Sequence, residues 1–475
     1  MQEKMTKNSL NGELFKNILI IVMIISMFIP AISFVFGLDS PNYSKEPLRP
    51  FPEKKLNSET GAQFDDWWND HFPFRSILVT AYNGLLDHVF QTSGNQRVIV
   101  GKSGMYYFEP TLRQYLNAPD LSDYDIARIA ESLNLQEEYL LSQGIKLGVF
   151  IIPNKATIYP EFMPDRFKPL DNTSDLDRLQ IMYPSMVDMK QILLDAKENE
   201  DLPIYHQEDS HWTKLGAYYG YNALMDYFSL EDQIIKYQKP LLTDGWQGDL
   251  SNMLYPAIEV NDNQVIFEDY EQNFVYTRPL RTYEDVEIES RCEQQKSLLM
   301  FRDSFANAWI DLVSNSFGVV HYSRSLPYRY DLVEQIKPDY VAIELIERNM
   351  DYLLQTSPDI LAKKLEVSEV AEFSKATSAD KLQIDMETTT TNNLVFFNAK
   401  YFDQSLGKKI TSVRIKFDSG VYKALPVYQD DDLTDKTWEY GFSLYLEETE
   451  TDNLPRAIFY MIDDVWYQAD LDLVD

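Results

Sequence analysis

The chain of 475 residues holds a single cysteine, Cys292, so no intramolecular disulfide can staple it and no set of thiolates can build a structural zinc site. Basic residues are scarce beside acidic ones: 43 Lys and Arg face 75 Asp and Glu, a formal net charge of -32. That deficit argues against nucleic acid as a partner, because phosphate binding draws most of its affinity from clustered Lys and Arg. It also disfavours broad adhesion to anionic membrane surfaces. Histidine is rarer still, at five, so the setting of each one is informative.

What is present is ordinary globular material, with 44% apolar and 25% charged residues, over a length that suits two or three domains. No internal repeat stands out. From Ile18 to Leu38 the run "ILIIVMIISMFIPAISFVFGL" carries no charge and reaches the ~20 residues a helix needs to span a bilayer. Lys4, Lys7 and Lys16 before it, and Asp39 after it, orient such a signal anchor with a cytoplasmic N-terminus (1–17) and the bulk outside. A cleavable signal ending near Ala31-Ile32-Ser33 is the competing reading.

A polar, proline-bearing tether (39–62) follows, then "FDDWWNDHFPFRSILVTAYNGLLDHVF", whose apolar spacing predicts a helix. "QRVIVGKSGMYYF" predicts two short strands around Gly101 to Gly104. Ser122 with Asp125 three residues on predicts a capped helix start, with Ile126, Ile129 and Leu133 on one apolar face. Leu147 to Ile152, "SLLMF" before Asp303 and "YVAIELI" after Asp339 are short continuous apolar runs, as expected of strands buried on both faces. Alternation with helices predicts a parallel sheet and an α/β fold. Beyond a polar linker (374–391), short alternating segments predict a small β-rich accessory domain (392–475, with Lys381 as its outer bound).

Two stretches carry chemistry. "YHQEDSHWTK" places Asp209 and His211 ahead of an amphipathic helix, and "LLMFRDSFANAW" places Ser304 just past a buried strand. A serine hydroxyl needs a base to take its proton, histidine suits that task near neutral pH, and a carboxylate fixes the tautomer. Ser304 should therefore sit at the carboxyl edge of the sheet, with a following helix aiming N–H groups at a developing oxyanion. Asp-x-His and Asp-Ser are also ordinary helix-capping patterns. His206, Asp209 and His211 could alternatively ligate a metal, but no His-Glu-x-x-His helix, paired cysteines or calcium loop accompanies them, so no metal is expected.

"DSHWT", "GWQGDLSNML", "FRDSFANAW" and "VEQIKPDYVAIELIERNM" occur in the order found in the AlgJ/AlgX-like, or DHHW, family of polysaccharide O-acetyltransferases, and "VIVGKSGMYYF" and "VFIIPNKATIYPE" resemble its earlier strands. The resemblance runs from Phe64 to Met350. It implies an SGNH-hydrolase-like α/β/α sandwich (63–373) with Ser304 as nucleophile, His211 as base and Asp209 as its orienting carboxylate. The backbone N–H of Ser304 is the first oxyanion donor, with Gly248 or the Asn307 side chain as second. Arg302 replaces the glycine that ordinary SGNH enzymes carry there, which leaves it, with Trp212, as a candidate substrate contact.

The expected activity is acetyl transfer through an acyl-Ser304 enzyme to an extracellular polysaccharide. No cofactor is expected, and a membrane-bound O-acyltransferase would supply acetyl to this single-pass protein outside a bacterial membrane. A carbohydrate acetylesterase with the same triad, or a non-catalytic glycan-binding subunit, are the alternatives.

Overall fold

Proline decides the first architectural feature. Pro73 offers no backbone donor and restricts its predecessor, so the expected single helix is two, Thr60–Asp70 and Arg75–Phe90, with Phe74 between them at a positive φ of 60°. The computed structural model describes residues 16–18, 20–21, 23–24, 28, 32–33, 35–37, 39, 41–44, 48–52, 60–237, 239–355, 358–391, 394–430, 438–451 and 454–473. The chain divides into two units: Met1–Glu109 with His206–Ser210 and Asp244–Asn263, and Pro110–Tyr205 with His211–Thr243 and Gln264–Asp475. Of the run Ile18–Leu38, positions 19, 22, 25–27, 29–31, 34 and 38 lie outside the described residues, as do Lys4 and Lys7. Among the described residues, no helix is long and apolar enough to cross a membrane.

In the first unit the predicted hairpin forms from β1 (Val98–Val100) and β2 (Tyr106–Phe108), paired antiparallel. Gly104, at φ 76°, takes the left-handed conformation the turn requires. Val98, Val100 and Tyr106 pack against Leu250, Leu254 and Tyr255, bringing the short helix Asp249–Leu254 onto the hairpin. The buried Asn83 amide donates to the Leu254 carbonyl at 2.8 Å.

The next strands are β3 (Lys146–Ile152), β4 (Pro240–Trp246), β5 (Asp262–Phe267), β6 (Val275–Tyr276), β7 (Glu287–Arg291), β8 (Ser297–Phe301), β9 (Val319–Ser323) and β10 (Tyr340–Ile346). In the second unit they build a sheet of order β3-β10-β8-β9-β7-β6, parallel from β3 to β9 and antiparallel at β7 and β6. The apolar runs are its edge strand β3 and the interior strands β10 and β8, buried on both faces as expected. Leu147, Val149 and Ile151 share a core with Ile126, Ile129 and Leu133 of the helix Asp123–Ser142. That helix starts at the predicted capping box of Ser122 and Asp125. On the opposite face Phe150 meets Phe228 and Trp309 edge-on. Register pairs Ile152 with Ile346 and Ile343 with Phe301, so the carboxyl ends of β3, β10 and β8 lie side by side.

The C-terminal strands are β11 (Thr377–Ser378), β12 (Leu382–Thr391), β13 (Leu394–Tyr401), β14 (Ser412–Lys416), β15 (Val421–Asp430), β16 (Trp438–Glu447), β17 (Ala457–Ile462) and β18 (Val465–Leu473). Their order, β11-β18-β12-β13-β16-β15-β14-β17, closes on itself through a β17–β18 pairing, which makes a barrel and removes exposed edges. Residues 382–391, expected within a linker, form β12, which pairs with β13 from Ile384 to Thr391 and with β18 from Leu382 to Ile384. The barrel shares its core with the helix Asp123–Ser142. From that helix the buried Arg128 guanidinium donates to the carbonyls of Ile410 at 2.7 Å and Gly407 at 3.1 Å.

Candidate active site

The strand β8 ends at Phe301, and the turn Arg302-Asp303-Ser304 follows at the carboxyl edge. Asp303 fixes that turn. Its Oδ1 accepts the Phe305 N–H at 2.9 Å, and its Oδ2 accepts the Ile346 N–H and the Asn349 amide, each at 2.9 Å. Its own N–H donates to Glu344 Oε2 at 3.2 Å. The Ser304 carbonyl accepts the Asn307 N–H at 3.1 Å as the helix Asn307–Ser314 begins. The Ser304 N–H has no acceptor among the described residues and remains available to an oxyanion.

His211 is placed by the chain on its far side. Thr213 caps the helix Lys214–Tyr227, its Oγ1 accepting the Gly216 N–H at 3.3 Å. Trp212 pairs with Tyr205 in an isolated antiparallel bridge and sits 2% exposed, its Nε1 donating to the Phe305 carbonyl at 2.9 Å. With the residue after the histidine tied to the residue after the serine, His211 Nε2 lies 3.1 Å from Ser304 Oγ, within hydrogen-bonding distance. The His211 ring also lies against Phe305, centroids 4.6 Å apart.

Asp209 belongs to the first unit and is buried there. Its Oδ2 accepts the Trp246 Nε1–H at 2.9 Å and the Asp249 N–H at 3.0 Å. Asp249 in turn accepts from Ser210 N–H at 2.8 Å and Ser210 Oγ at 2.6 Å. Gly248 caps the helix Asp249–Leu254, and a Cβ there would stand 2.3 Å from the Glu208 carbonyl oxygen, so close backbone approach explains the glycine. His206 stacks on Trp246 and donates from Nδ1 to the Asn263 carbonyl at 2.9 Å.

Two expected substrate contacts are corrected. Trp212 is core: the packing that aligns His211 leaves its ring no face for a sugar. Arg302 is 3% exposed and committed to the Asp303 carbonyl (3.1 Å), Asn307 Oδ1 (2.6 Å) and the Tyr283 carbonyl (2.7 Å). Burial, with repulsion from Arg324, pushes its pKa down to about 10. Asn307 is engaged at both ends, its Nδ2 donating to Glu284 Oε1 at 2.8 Å. The residues that sequence reasoning missed are the acids beneath the turn. Glu344, on β10, is fully buried, and burial together with the Asp303 charge raises its pKa well above the carboxylate range. Glu347 is raised mainly by burial and accepts the Asn154 N–H at 2.8 Å and Thr157 Oγ1 at 2.7 Å. The signal for the first was an acid interrupting the apolar run "YVAIELI".

A parallel sheet flanked by helices, with a serine at its carboxyl edge facing a histidine, is the α/β arrangement expected of an SGNH-hydrolase-like domain. Residues 98–272 match the family model of the SGNH hydrolase-like domain of acetyltransferase AlgX; Asp209 and His211 fall inside that span and Ser304 beyond it. The chain is 25% identical over 166 residues to the probable alginate O-acetylase AlgJ of Pseudomonas aeruginosa, spanning 34% of its own length and 40% of that relative's. Among solved structures it is similar to Bacillus cereus PatB1 (15% identity, TM-score 0.41, 54% of this chain and 98% of that one). It is similar also to the O-acetyltransferase domain of Pseudomonas putida AlgJ (17%, TM-score 0.35, 55% and 93%). Over the stretches matched the chain is thus similar to AlgX and AlgJ, as its ordered motifs indicated.

Proposed function

We propose that the chain is a polysaccharide O-acetyltransferase that carries an acetyl group on Ser304. The observation that carries this reading is the 3.1 Å approach of His211 Nε2 to Ser304 Oγ beside an unoccupied backbone N–H. Ser304 Oγ attacks the donor acyl carbon as its proton passes to His211 Nε2, and the Ser304 N–H stabilises the oxyanion. The donor's ester bond then breaks, and His211 returns the proton to the leaving oxygen. In the second half an acceptor hydroxyl gives its proton to His211, its oxygen forms the new ester bond, and the Ser304 ester breaks with the proton restored to Oγ. Asp209, two residues ahead of His211 in the chain, is the proposed orienting carboxylate. Gly248 and Asn307 remain the proposed second oxyanion donors.

The acceptor is proposed to be an extracellular polysaccharide, in keeping with the alginate O-acetylase named among the relatives. The remaining assignments share that footing: a membrane-bound O-acyltransferase as supplier, an anchor over 18–38 holding the protein at the outer face of the membrane, chemistry within 63–373 and an accessory role for 392–475. The test is intact-mass analysis of the full chain after incubation with p-nitrophenyl acetate, comparing wild type with Ser304→Ala. An acetyl adduct mapped to Ser304 and absent from the variant is expected, and acetylated sugar rather than free acetate alone separates transfer from ester hydrolysis. Equal labelling of the variant would sink the reading.

A further inference from the structure

The helix Arg75–Phe90 turns its polar side inward. Ser76 and Asn83 are buried. Thr80 Oγ1 accepts the Ala257 N–H at 2.9 Å, Asn83 Oδ1 accepts the Gly94 N–H at 3.0 Å, and Asp87 Oδ2 accepts the Tyr106 hydroxyl at 2.7 Å. Leu78, Tyr82, Leu85 and Val89 repeat that spacing two residues on, about 200° further round the helix, and so form the opposite stripe. With Ile77 and Phe90 they are 47–64% exposed. An ordinary surface helix lays its apolar stripe against the core; one that presents it outward as a contiguous patch marks an interaction surface. The end of the uncharged run 18–38 is tied to the same helix. Asp39, the next residue, accepts the Phe74 N–H on its Oδ1 at 3.0 Å, and the Tyr43 N–H donates to the Pro256 carbonyl at 2.7 Å. All of these residues belong to the first unit.

We propose that this stripe rests on the lipid bilayer, the helix Arg75–Phe90 lying in the boundary between headgroups and acyl chains beside the point where the chain leaves the membrane. This rests on the reading of 18–38 as an anchor. The contact between Asp39 and Phe74 places the start of the apolar stripe where the anchor ends, so the bilayer is the apolar phase nearest to it. Leucine, isoleucine and valine side chains suit the acyl boundary, and the Tyr82 ring with its hydroxyl suits the headgroup level. None of the six side chains is Lys or Arg, and the chain carries -32, so burial of apolar surface drives the contact rather than attraction to anionic lipid. The same charge opposes a second copy as the occupant, because two chains of -32 would have to meet.

The experiment uses the full chain in phosphatidylcholine vesicles, with Cys292→Ser removing the native thiol and a nitrobenzoxadiazole label on Leu85→Cys, Met23→Cys or Lys102→Cys. Leu85 lies in the stripe, Met23 in the proposed anchor, and Lys102 on the hairpin whose Tyr106 meets the inward side of the helix. All three positions are exposed, so the label displaces no core side chain. Phosphatidylcholine spin-labelled on its acyl chains should lower emission from Leu85→Cys by about two-fold or more and leave Lys102→Cys unchanged. Adding phosphatidylglycerol should not strengthen that quenching. Equal emission from Leu85→Cys and Lys102→Cys overturns the proposal, as does quenching that requires phosphatidylglycerol. A blue-shifted Leu85→Cys label that lipid does not quench, with cross-linked dimers of the chain, also overturns it and assigns the stripe to a second copy. Met23→Cys judges the anchor separately: an unquenched label there overturns the reading of 18–38, while Leu85→Cys still decides the stripe.

Discussion

The Trp212 indole donates to the Phe305 carbonyl at 2.9 Å, joining residues 93 apart in sequence and thereby setting the histidine beside the serine. Trp212→Phe removes the donor and leaves the buried Phe305 carbonyl with only the longer bond from the Ala308 N–H at 3.4 Å, a cost of about 1–3 kcal/mol. The melting temperature should fall, and acylation of Ser304 should slow with KM for the ester little changed. A variant with wild-type turnover would show that the tether does not align the pair.

Glu344 makes stability pH-dependent. Burial and Asp303 raise its folded pKa above the unfolded value, so its contribution is complete below the unfolded pKa near ~4.3 and is lost as pH rises through the folded value. Glu344→Gln keeps an acceptor for the Asp303 N–H without the ionisation. Its melting temperature relative to wild type should therefore climb from pH 5 to pH 8. Parallel melting curves across that range would refute the assignment, and Glu347, raised for the same reason, remains in both proteins.

Asn307 separates a structural from an electrostatic role. Its Oδ1 accepts from Arg302 and its Nδ2 donates to Glu284, so Asn307→Leu should cost about 1–3 kcal/mol through the partners it leaves. If these contacts are its whole purpose, acylation should fall less than about ten-fold, whereas loss of an oxyanion donor costs ~100-fold or more. Single-turnover acylation at a temperature well below the melt distinguishes the two.

Gly248→Ala would press a Cβ to 2.3 Å from the Glu208 carbonyl oxygen and 2.7 Å from its carbon. Backbone cannot yield as a side-chain tip can, so destabilisation of about 1–3 kcal/mol is expected. Limited proteolysis should show faster cleavage within the first unit, and an unchanged digestion rate would contradict it.

Local chemistry made much of this legible. Continuous apolar runs marked β3, β8 and β10, the Ser122 and Asp125 pair marked a helix start, and Ser304 past β8 marked the sheet edge. Each of those signals is written within a few neighbouring residues. Pro73 was visible too, yet the spacing of apolar residues on either side concealed the break it makes between two helices.

Other features depend on which distant surface a side chain meets. Trp212 and Trp246 look alike in sequence, but one is sealed between Phe305 and Trp309 while the other keeps an exposed face over His206. Arg302 in place of glycine gave no sign that its guanidinium would be consumed by Tyr283 and Asn307. Barrel closure required β17 and β18 to pair with each other while each also pairs with a strand from far earlier in the chain, β14 and β12. The sequence alone determined the strands, the caps and the residue types proposed for acyl transfer, because backbone propensity and hydrophobic period are local. Tertiary structure alone decided which tryptophan is core, which acids are buried and which hydroxyl meets a histidine, because burial and side-chain direction are set by contacts between segments that sequence spacing does not encode.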